Sequence, residues 1–298
     1  MGRLLGRIVV GATLSLISFI AYSSQIFIIW PWYGRELSVD LITLLGPFNA
    51  FIGLLLWNYW KCVVSDPGSV PDRWQPDTAS LEGYEVKKLT GGPRFCRACN
   101  KYKPPRAHHC KTCKRCVLRM DHHCPWVNNC VGYFNYGHFI RFLFFVDLSC
   151  IYHATMVTWR VLDTSGERFY TPPGGIELVF IILNYATCVP VLIMVGAFSL
   201  YHFYCLLGNT TTIEGWEKDK VATLVRRGKI REIKFPYNLG ARRNIESMLG
   251  KNPLMWCCPT IPPGTGLKYQ LAEGDGKWVE LSRREDIETY YNGTFIEP

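Results

Sequence analysis

Several things are scarce or missing in these 298 residues, and each narrows the reading. Charge is scarce: Asp, Glu, Lys and Arg make up 19% of the chain, against 48% apolar residues. A cleavable leader is missing, because the first apolar run is longer than a signal h-region and ends on Trp30-Pro-Trp-Tyr instead of small residues. A myristoylation signal is missing, because Gly2 is followed by Gly6 where Ser or Thr is needed. His-Glu-x-x-His is missing, which removes the helical zinc-hydrolase signature. No internal repeat stands out beyond one doubled Cys/His unit.

The charge that is present leans positive, with 33 Lys and Arg against 24 Asp and Glu. Apolar runs and basic segments alternate in blocks instead of mixing. Four runs reach the roughly 20 apolar residues that a bilayer crossing needs. They cover Ile8 to Trp30, Leu41 to Val64, Phe139 to Leu162 and Ile176 to Leu207. The spans hold few charges, Arg141 and Asp147 being the chief exceptions, so no ion path is evident. The loop Ser65 to His138 and the tail from Gly208 are rich in Lys and Arg, including Arg226-Arg227, Lys229, Arg231 and Arg242-Arg243. The loops after the first and third spans hold only Arg35 and Arg168. The positive-inside rule predicts both termini and the long loop in the cytosol. The sequons Asn209-Thr-Thr and Asn292-Gly-Thr then stay unused. Expected boundaries are spans 1 and 2 in 1–64, a Cys-rich domain in 65–138, spans 3 and 4 in 139–207, and a C-terminal region in 208–298. Within these, 66–92 reads as an irregular connector and 208–250 as helical pieces broken at Phe235-Pro236. No pattern is legible after Pro262.

Thirteen cysteines would allow a disulfide framework. Their placement argues for metal instead. Seven fall between Cys96 and Cys130, interleaved with histidine. Two copies of one spacing are nested there. Cys96, Cys99, His109 and Cys116 form the first; Cys110, Cys113, His123 and Cys130 form the second. Each offers three thiolates and one imidazole, a closed tetrahedral set for structural zinc. Two structural Zn²⁺ ions are therefore expected, and thiolate ligation requires a reducing compartment. Closed four-ligand sites leave no position for an activated water.

That leaves Cys124, His122, Asp121 and His108 without a ligand role. Cys, His and Asp are the parts of an activated thiol: the imidazole takes the proton and the carboxylate orients the imidazole. Spacing alone fits either catalysis or a spare cysteine in a zinc knuckle. Asp121-His122-His123-Cys124 within this block resembles the signature of the DHHC family of protein S-acyltransferases. Asn135 and Phe139 stand where that pattern continues. Asp66-Pro67-Gly68 resembles the family's DPG motif, and Thr211-Thr212-Ile213-Glu214 its TTxE motif. Asn244 matches the Asn of its C-terminal segment. The resemblance covers roughly residues 4 to 250 and extends faintly to fungal endoplasmic-reticulum members.

The resemblance implies an α-helical integral membrane protein with four transmembrane helices and a cytosolic Cys-rich two-zinc domain between spans 2 and 3. It implies that Cys124 takes a long-chain acyl group, palmitoyl above all, from acyl-CoA as co-substrate. The group then passes to cysteines of cytosol-facing or membrane substrate proteins. His122 would be the base, Asp121 its orienter, the Thr212 hydroxyl a support for Asp121, with Thr211 and Asn244 bracing the region. The alternative for the Thr run is a helix C-terminal cap or a turn.

Substrate contacts are less defined. Arg94, Arg97, Lys101, Lys103, Arg106 and His108 surround the first zinc unit. Of these, Arg94, Lys103 and His108 are candidates for coenzyme A phosphates, although anionic headgroups or membrane topology would also account for the charge. Trp126 is a further substrate-side candidate. A 16-carbon chain, roughly 13 residues of helix in length at 1.5 Å rise, would end near Ser149 to Tyr152; Ser149 is small enough to leave room there or simply to pack helices. His153 and His202 read as packing histidines. The expected site is the endoplasmic reticulum, with the Golgi as alternative, and the bilayer as a partner but no nucleic acid. The chief rival is a membrane-anchored zinc-binding scaffold without catalysis, which would tolerate loss of Cys124.

Overall fold

The computed structural model describes residues 3–77, 93–163, 172–227 and 235–272. Arg168, Lys229, Arg231, the Asn292 sequon and most of the connector at 66–92 lie outside the described residues. Four helices are long and apolar enough to cross a membrane. Helix α1 (Arg3–Ser24) continues through a π turn at Gln25–Ile29 into a short turn at Trp30–Trp32. Helices α2 (Val39–Val64), α3 (Tyr136–Leu162) and α4 (Gly175–Leu207) complete the set. All four begin before the apolar runs do. Hydropathy marks where lipid is tolerated, whereas backbone hydrogen bonding carries a helix on through Arg7 or Tyr136.

The chain divides into two compact units. The first comprises Met1–Val63, Pro125–Asn128 and His138–His202. Phe48, Ile52, Met156, Val157 and Ile181 pack into one buried cluster, and Ile20, Leu55, Phe145, Val146 and Cys188 into another. Ile193, Met194 and Leu200 remain exposed, as an apolar surface turned to lipid requires. Several polar groups of this unit pair with one another, as a medium without water favours. His153 Nε2 lies 3.0 Å from Asn184 Oδ1, and Asn184 Nδ2 donates to Ser23 Oγ at 2.9 Å. Asn49 and Gln25 exchange amide hydrogen bonds between α2 and the π turn. Arg160 Nε donates to Glu177 Oε1 at 2.6 Å.

The second unit comprises Val64–Cys124, Asn129–Gly137 and Phe203–Pro298. It holds three antiparallel hairpins: β1 (Phe95–Cys96) with β2 (Lys101–Tyr102), β3 (His108–Cys110) with β4 (Arg115–Val117), and β5 (His122–Cys124) with β6 (Asn129–Val131). Helices α5 (Thr212–Arg226) and α6 (Ala241–Leu249) follow, on either side of Phe235-Pro236. Two-stranded hairpins are marginal on their own. The buried apolar cluster beneath these is small, built on Cys110, Val117, Met120 and Cys130.

Local staples compensate. Asp66 Oδ1 accepts from Gly68 N at 2.7 Å, and its other oxygen accepts from Arg115 at 2.7 Å. The turn so formed receives Leu118 N on Gly68 O and Phe134 N on Pro67 O. Asn135 closes the next turn, taking Gly132 N on its Oδ1 and donating to Cys130 O, both at 2.9 Å. Gly132 sits where a Cβ would meet Pro67 O at 2.8 Å and Leu118 O at 2.9 Å. Both obstacles are backbone atoms, which cannot swing aside. Gly132→Ala should therefore destabilise this unit by about 1–3 kcal/mol, as overpacking does, read as a lowered midpoint in thermal unfolding of the zinc-loaded protein.

Helix α4 ends in a Schellman motif. Thr210 N donates to Cys205 O, Asn209 N to Leu206 O, and Asn209 carries the left-handed φ of +47° that the motif needs. The Asn209 sequon is thus a buried helix stop. Its amide is committed to Tyr237 O at 2.9 Å, so no glycan can be attached to it in the folded chain.

Candidate active site and metal centres

Hairpins β3–β4 and β5–β6 place the metal-ligand residues by register. His109 faces Cys116 across one ladder, and His123 faces Cys130 across the other. The Cys-x-x-Cys turns supply the remaining thiols. In the first set the Sγ atoms of Cys96, Cys99 and Cys116 lie 3.6, 3.2 and 4.0 Å from His109 Nδ1. In the second, Cys110, Cys113 and Cys130 lie 3.8, 3.4 and 3.6 Å from His123 Nδ1. Within each set all four ligand atoms lie within 4.8 Å of one another. Tetrahedral zinc, with bonds of about 2.0–2.3 Å, separates its ligand atoms by roughly 3.6 Å. The geometry and the soft donors fit that ion, and both clusters could hold a metal. All thirteen cysteines are free thiols.

The sets interlock through β3. His109 serves the first and Cys110, the next residue, serves the second. His123, a ligand of the second set, is followed directly by Cys124 on β5. Cys124 pairs with Asn129 across the hairpin, and Asn129 Nδ2 donates to Ser65 O at 2.8 Å. The Cys124 thiol is therefore carried on a strand paired along one edge with an anchored β6, and the residue is buried.

Around that thiol the structure assembles a relay. His122 Nδ1 lies 2.8 Å from Asp121 Oδ2, and the Cys124 thiol lies close enough to the imidazole to act on its proton affinity. Burial pulls the imidazole toward its neutral form, but the hydrogen bond to Asp121 and the nearby Cys124 outweigh it and raise the His122 pKa to about 9. Asp121 is held in turn by Thr212. The Thr212 backbone N–H donates to Oδ1 at 3.1 Å and its hydroxyl lies 3.0 Å from Oδ2, while also donating to the Asp121 carbonyl.

Thr211 has a different task. Its hydroxyl accepts from Glu214 N at 3.2 Å, and Glu214 Oε2 accepts from Thr211 N at 2.8 Å. This is a capping box at the start of α5. The Thr run thus opens a helix and does not cap the preceding one. Glu214 then receives Arg106 in a bidentate pair, both N–O distances 2.7 Å. Burial opposes ionisation of Glu214, yet Arg106 holds its pKa below the usual carboxylate value. Arg106 also donates to Asn209 and lies 4.4 Å from the Tyr237 ring and 5.1 Å from the Tyr269 ring. Asn244 makes no bond to Asp121. It donates to Leu207 O at 2.6 Å and accepts from Leu239 N, tying α6 to the end of α4.

Of the residues grouped by charge around the first zinc unit, Arg106 is buried and committed to Glu214, and Lys101 is paired with Asp72. Arg94 and His108 do come together, at 3.4 Å, and Lys103 N donates to Arg94 O at 2.7 Å. His108 adds no charge. Burial, reinforced by Arg94, pushes its pKa down to about 3. Trp126 and Ser149 belong to the other unit. The Trp126 side chain is exposed, its carbonyl accepting from Tyr59 at 2.9 Å, and Ser149 is buried with no hydrogen-bond partner for its hydroxyl among the described residues.

Comparison with known proteins points the same way as this geometry. Residues 89–219 match the family described as DHHC palmitoyltransferase. Palmitoyltransferase PFA4 of Mycosarcoma maydis is 48% identical over 291 residues, which cover 89% of this chain and 60% of that protein. Palmitoyltransferase pfa4 of Emericella nidulans is 35% identical, covering 89% of this chain and 65% of that protein. The chain therefore spans somewhat less than two thirds of these fungal relatives. Probable protein S-acyltransferase 16 of Arabidopsis thaliana is 34% identical, covering 86% of this chain and 90% of that protein. With a relative of that identity matched along nine tenths of its length, four membrane-length helices and the interlocked Cys/His sets beside Asp121-His122-His123-Cys124, this chain belongs to the DHHC palmitoyltransferase family of membrane protein S-acyltransferases.

Proposed function

We propose that this protein is a membrane-bound S-acyltransferase that carries a long-chain acyl group, palmitoyl above all, on Cys124 and delivers it to cysteines of other proteins. The observation that carries the reading is the hydrogen-bonded series Thr212–Asp121–His122 set beside the Cys124 thiol. Zinc, when bound at the two Cys₃His sets, supplies folding free energy and holds β5 in place.

With Nδ1 donating to Asp121, His122 offers Nε2 to the thiol. It takes the Cys124 proton. The thiolate attacks the acyl-CoA carbonyl, a new C–S bond forms, and the bond to coenzyme A breaks. The departing thiolate recovers the proton from His122. A substrate cysteine then repeats the exchange in the opposite sense: its proton goes to His122, its sulfur takes the acyl group, and the Cys124 thiolate is reprotonated. Each half exchanges one thioester for another, so no step runs far uphill. Asp121 fixes the tautomer and steadies the imidazolium.

In this reading residues 1–64 and 139–207 supply the spans, 65–138 the cytosolic zinc domain and 208–298 the C-terminal region. Arg94 and Lys103 take the coenzyme A phosphates, with neutral His108 as a hydrogen-bonding partner; Ser149 lies at the end of the acyl chain, and Trp126 contacts substrate. Thr211 and Asn244 brace the relay from its far side. Both termini face the cytosol, by the excess of Lys and Arg in the long loop and tail. Residence is in the endoplasmic reticulum, by resemblance to its fungal members.

The test is direct acylation. The protein purified in detergent is incubated with labelled palmitoyl-CoA and digested, and the label is mapped. A hydroxylamine-labile label on the peptide bearing Cys124 is expected. A folded, zinc-loaded protein that takes no label would point instead to a zinc-binding scaffold.

A further inference from the structure

The second unit contains a cavity of about 380 Å³, distinct from the group Arg94, Lys103 and His108. Arg106 and Arg119 line its buried part, while Arg243, Lys251 and Lys268 line its open part. One carboxylate, Glu246, is also present, and it is engaged by Arg242 at 2.9 Å. Five cations thus meet one anion whose charge is already answered.

Their partners differ. Arg106 is neutralised by Glu214, and Lys268 lies 3.1 Å from Asp77. Arg119 feels the Glu214 carboxylate only through space, that group being paired directly with Arg106. It is fully buried, yet among the described residues it forms no ion pair. Its Nη2 reaches Asn209 Oδ1 at 3.2 Å, an oxygen already shared with Arg106, and its guanidinium lies 4.4 Å from the Tyr136 ring. Its Nε and Nη1 are buried and have no hydrogen-bond partner among the described residues. A buried guanidinium with two donors unmet and no ion pair of its own is costly, and a ligand that completes it would lift that cost. Arg243 and Lys251 are exposed and likewise form no ion pair among the described residues. The walls between these charges are apolar: the Tyr133 and Tyr269 rings meet edge to face at 6.1 Å, beside Leu239 and Met248.

We propose that this cavity binds a phosphorylated small molecule, its phosphate oxygens on Arg119, Arg243 and Lys251 and its carbon skeleton against Tyr133 and Tyr269. Guanidinium and ammonium donors converging on one space suit the several oxygens of a phosphate better than a single carboxylate. A soluble inositol phosphate and the headgroup of a phosphoinositide share this chemistry. The cavity's volume falls in the range that holds such ligands.

The full chain, purified in detergent with zinc, is titrated calorimetrically with inositol hexakisphosphate. In parallel it is placed in nanodiscs with and without phosphatidylinositol 4-phosphate, and lipid retention is read by native mass spectrometry. Saturable binding is expected in one arm or both. Binding in the first alone identifies a soluble ligand, and retention in the second alone a lipid. Arg119→Gln should weaken it at least 10-fold but removes a buried side chain. The variant Arg243→Glu/Lys251→Glu changes only exposed residues and should weaken it 10- to 100-fold, while Arg73→Glu, an exposed charge outside the cavity, should not. The proposal is overturned if neither probe binds, if the double variant binds as the parent does, or if coenzyme A competes with the probe, which would make the cavity part of the acyl-donor site.

Discussion

Cys124→Ala should accept no acyl group from palmitoyl-CoA while retaining both zinc ions, and Asp121→Asn should load at a rate lower by about 10²–10⁴-fold. The two differ because they act at different points of one relay. Cys124 is the atom that forms the bond. Removing it leaves the Cys₃His sets whole, since the ligands are His123 and Cys130 and not their neighbour. Asp121 does not touch the acyl group. An amide at its position still fits between Thr212 and His122, so the fold should survive. It no longer carries the charge that steadies the imidazolium, and its nitrogen offers Nδ1 a donor where an acceptor stood. Loading measured by single-turnover kinetics with radiolabelled acyl-CoA, alongside zinc content by mass spectrometry, separates the outcomes. Normal loading in Asp121→Asn would leave the carboxylate a purely architectural part. Normal loading in Cys124→Ala would remove the proposed carrier altogether.

Cys130→Ser should have the larger effect on stability. Cys130 is fully buried, and its thiol lies 3.4 Å from Cys113 Sγ and 3.6 Å from His123 Nδ1. A structural zinc site contributes roughly 10–16 kcal/mol to the folding of its module, comparable to the whole stability of a domain. The module here has little else, since its apolar cluster is small and includes Cys110 and Cys130 themselves. Because His109 and Cys110 are consecutive on β3, loosening the second site also loosens the first. Zinc content is therefore expected to fall from two per chain to below one, with the 93–135 region becoming protease-sensitive. Retention of one full zinc with the first hairpins protected would show that the sites fold independently.

Some of this arrangement is legible in the amino-acid order and some is not. Spans are legible because lipid imposes a long, one-sided composition. The Cys/His sets are legible because the same spacing occurs twice. Thr211 and Glu214 form a capping box, a four-residue pattern, but in sequence a Thr pair just after an apolar span fits a helix C-terminal cap or a turn equally well. Asn209 belongs to a sequon by pattern but to a Schellman motif by structure, and only the end of α4 at Leu207 decides between them. Arg106 stands among basic neighbours in sequence. Its partner Glu214 lies 108 residues away, and no periodicity links the two. Arg119 and Tyr269 were hidden for the same reason: burial of a charge by distant segments leaves no local trace.

The distance between Asp121 and Thr212 has a consequence for biosynthesis. The two residues are 91 positions apart. At about 5–20 residues per second, a ribosome reaches Thr212 some 5–20 s after Asp121. The metal-ligand residues are all made by Cys130, so the metal-binding module can mature during that interval. The clamp on the acidic partner of the relay cannot form until α3 and α4 have been synthesised. A nascent or truncated chain ending before residue 212 would hold its thiol in a metal-loaded but unclamped setting. The lag would keep a half-made chain from consuming acyl donor before its last membrane segments are in place.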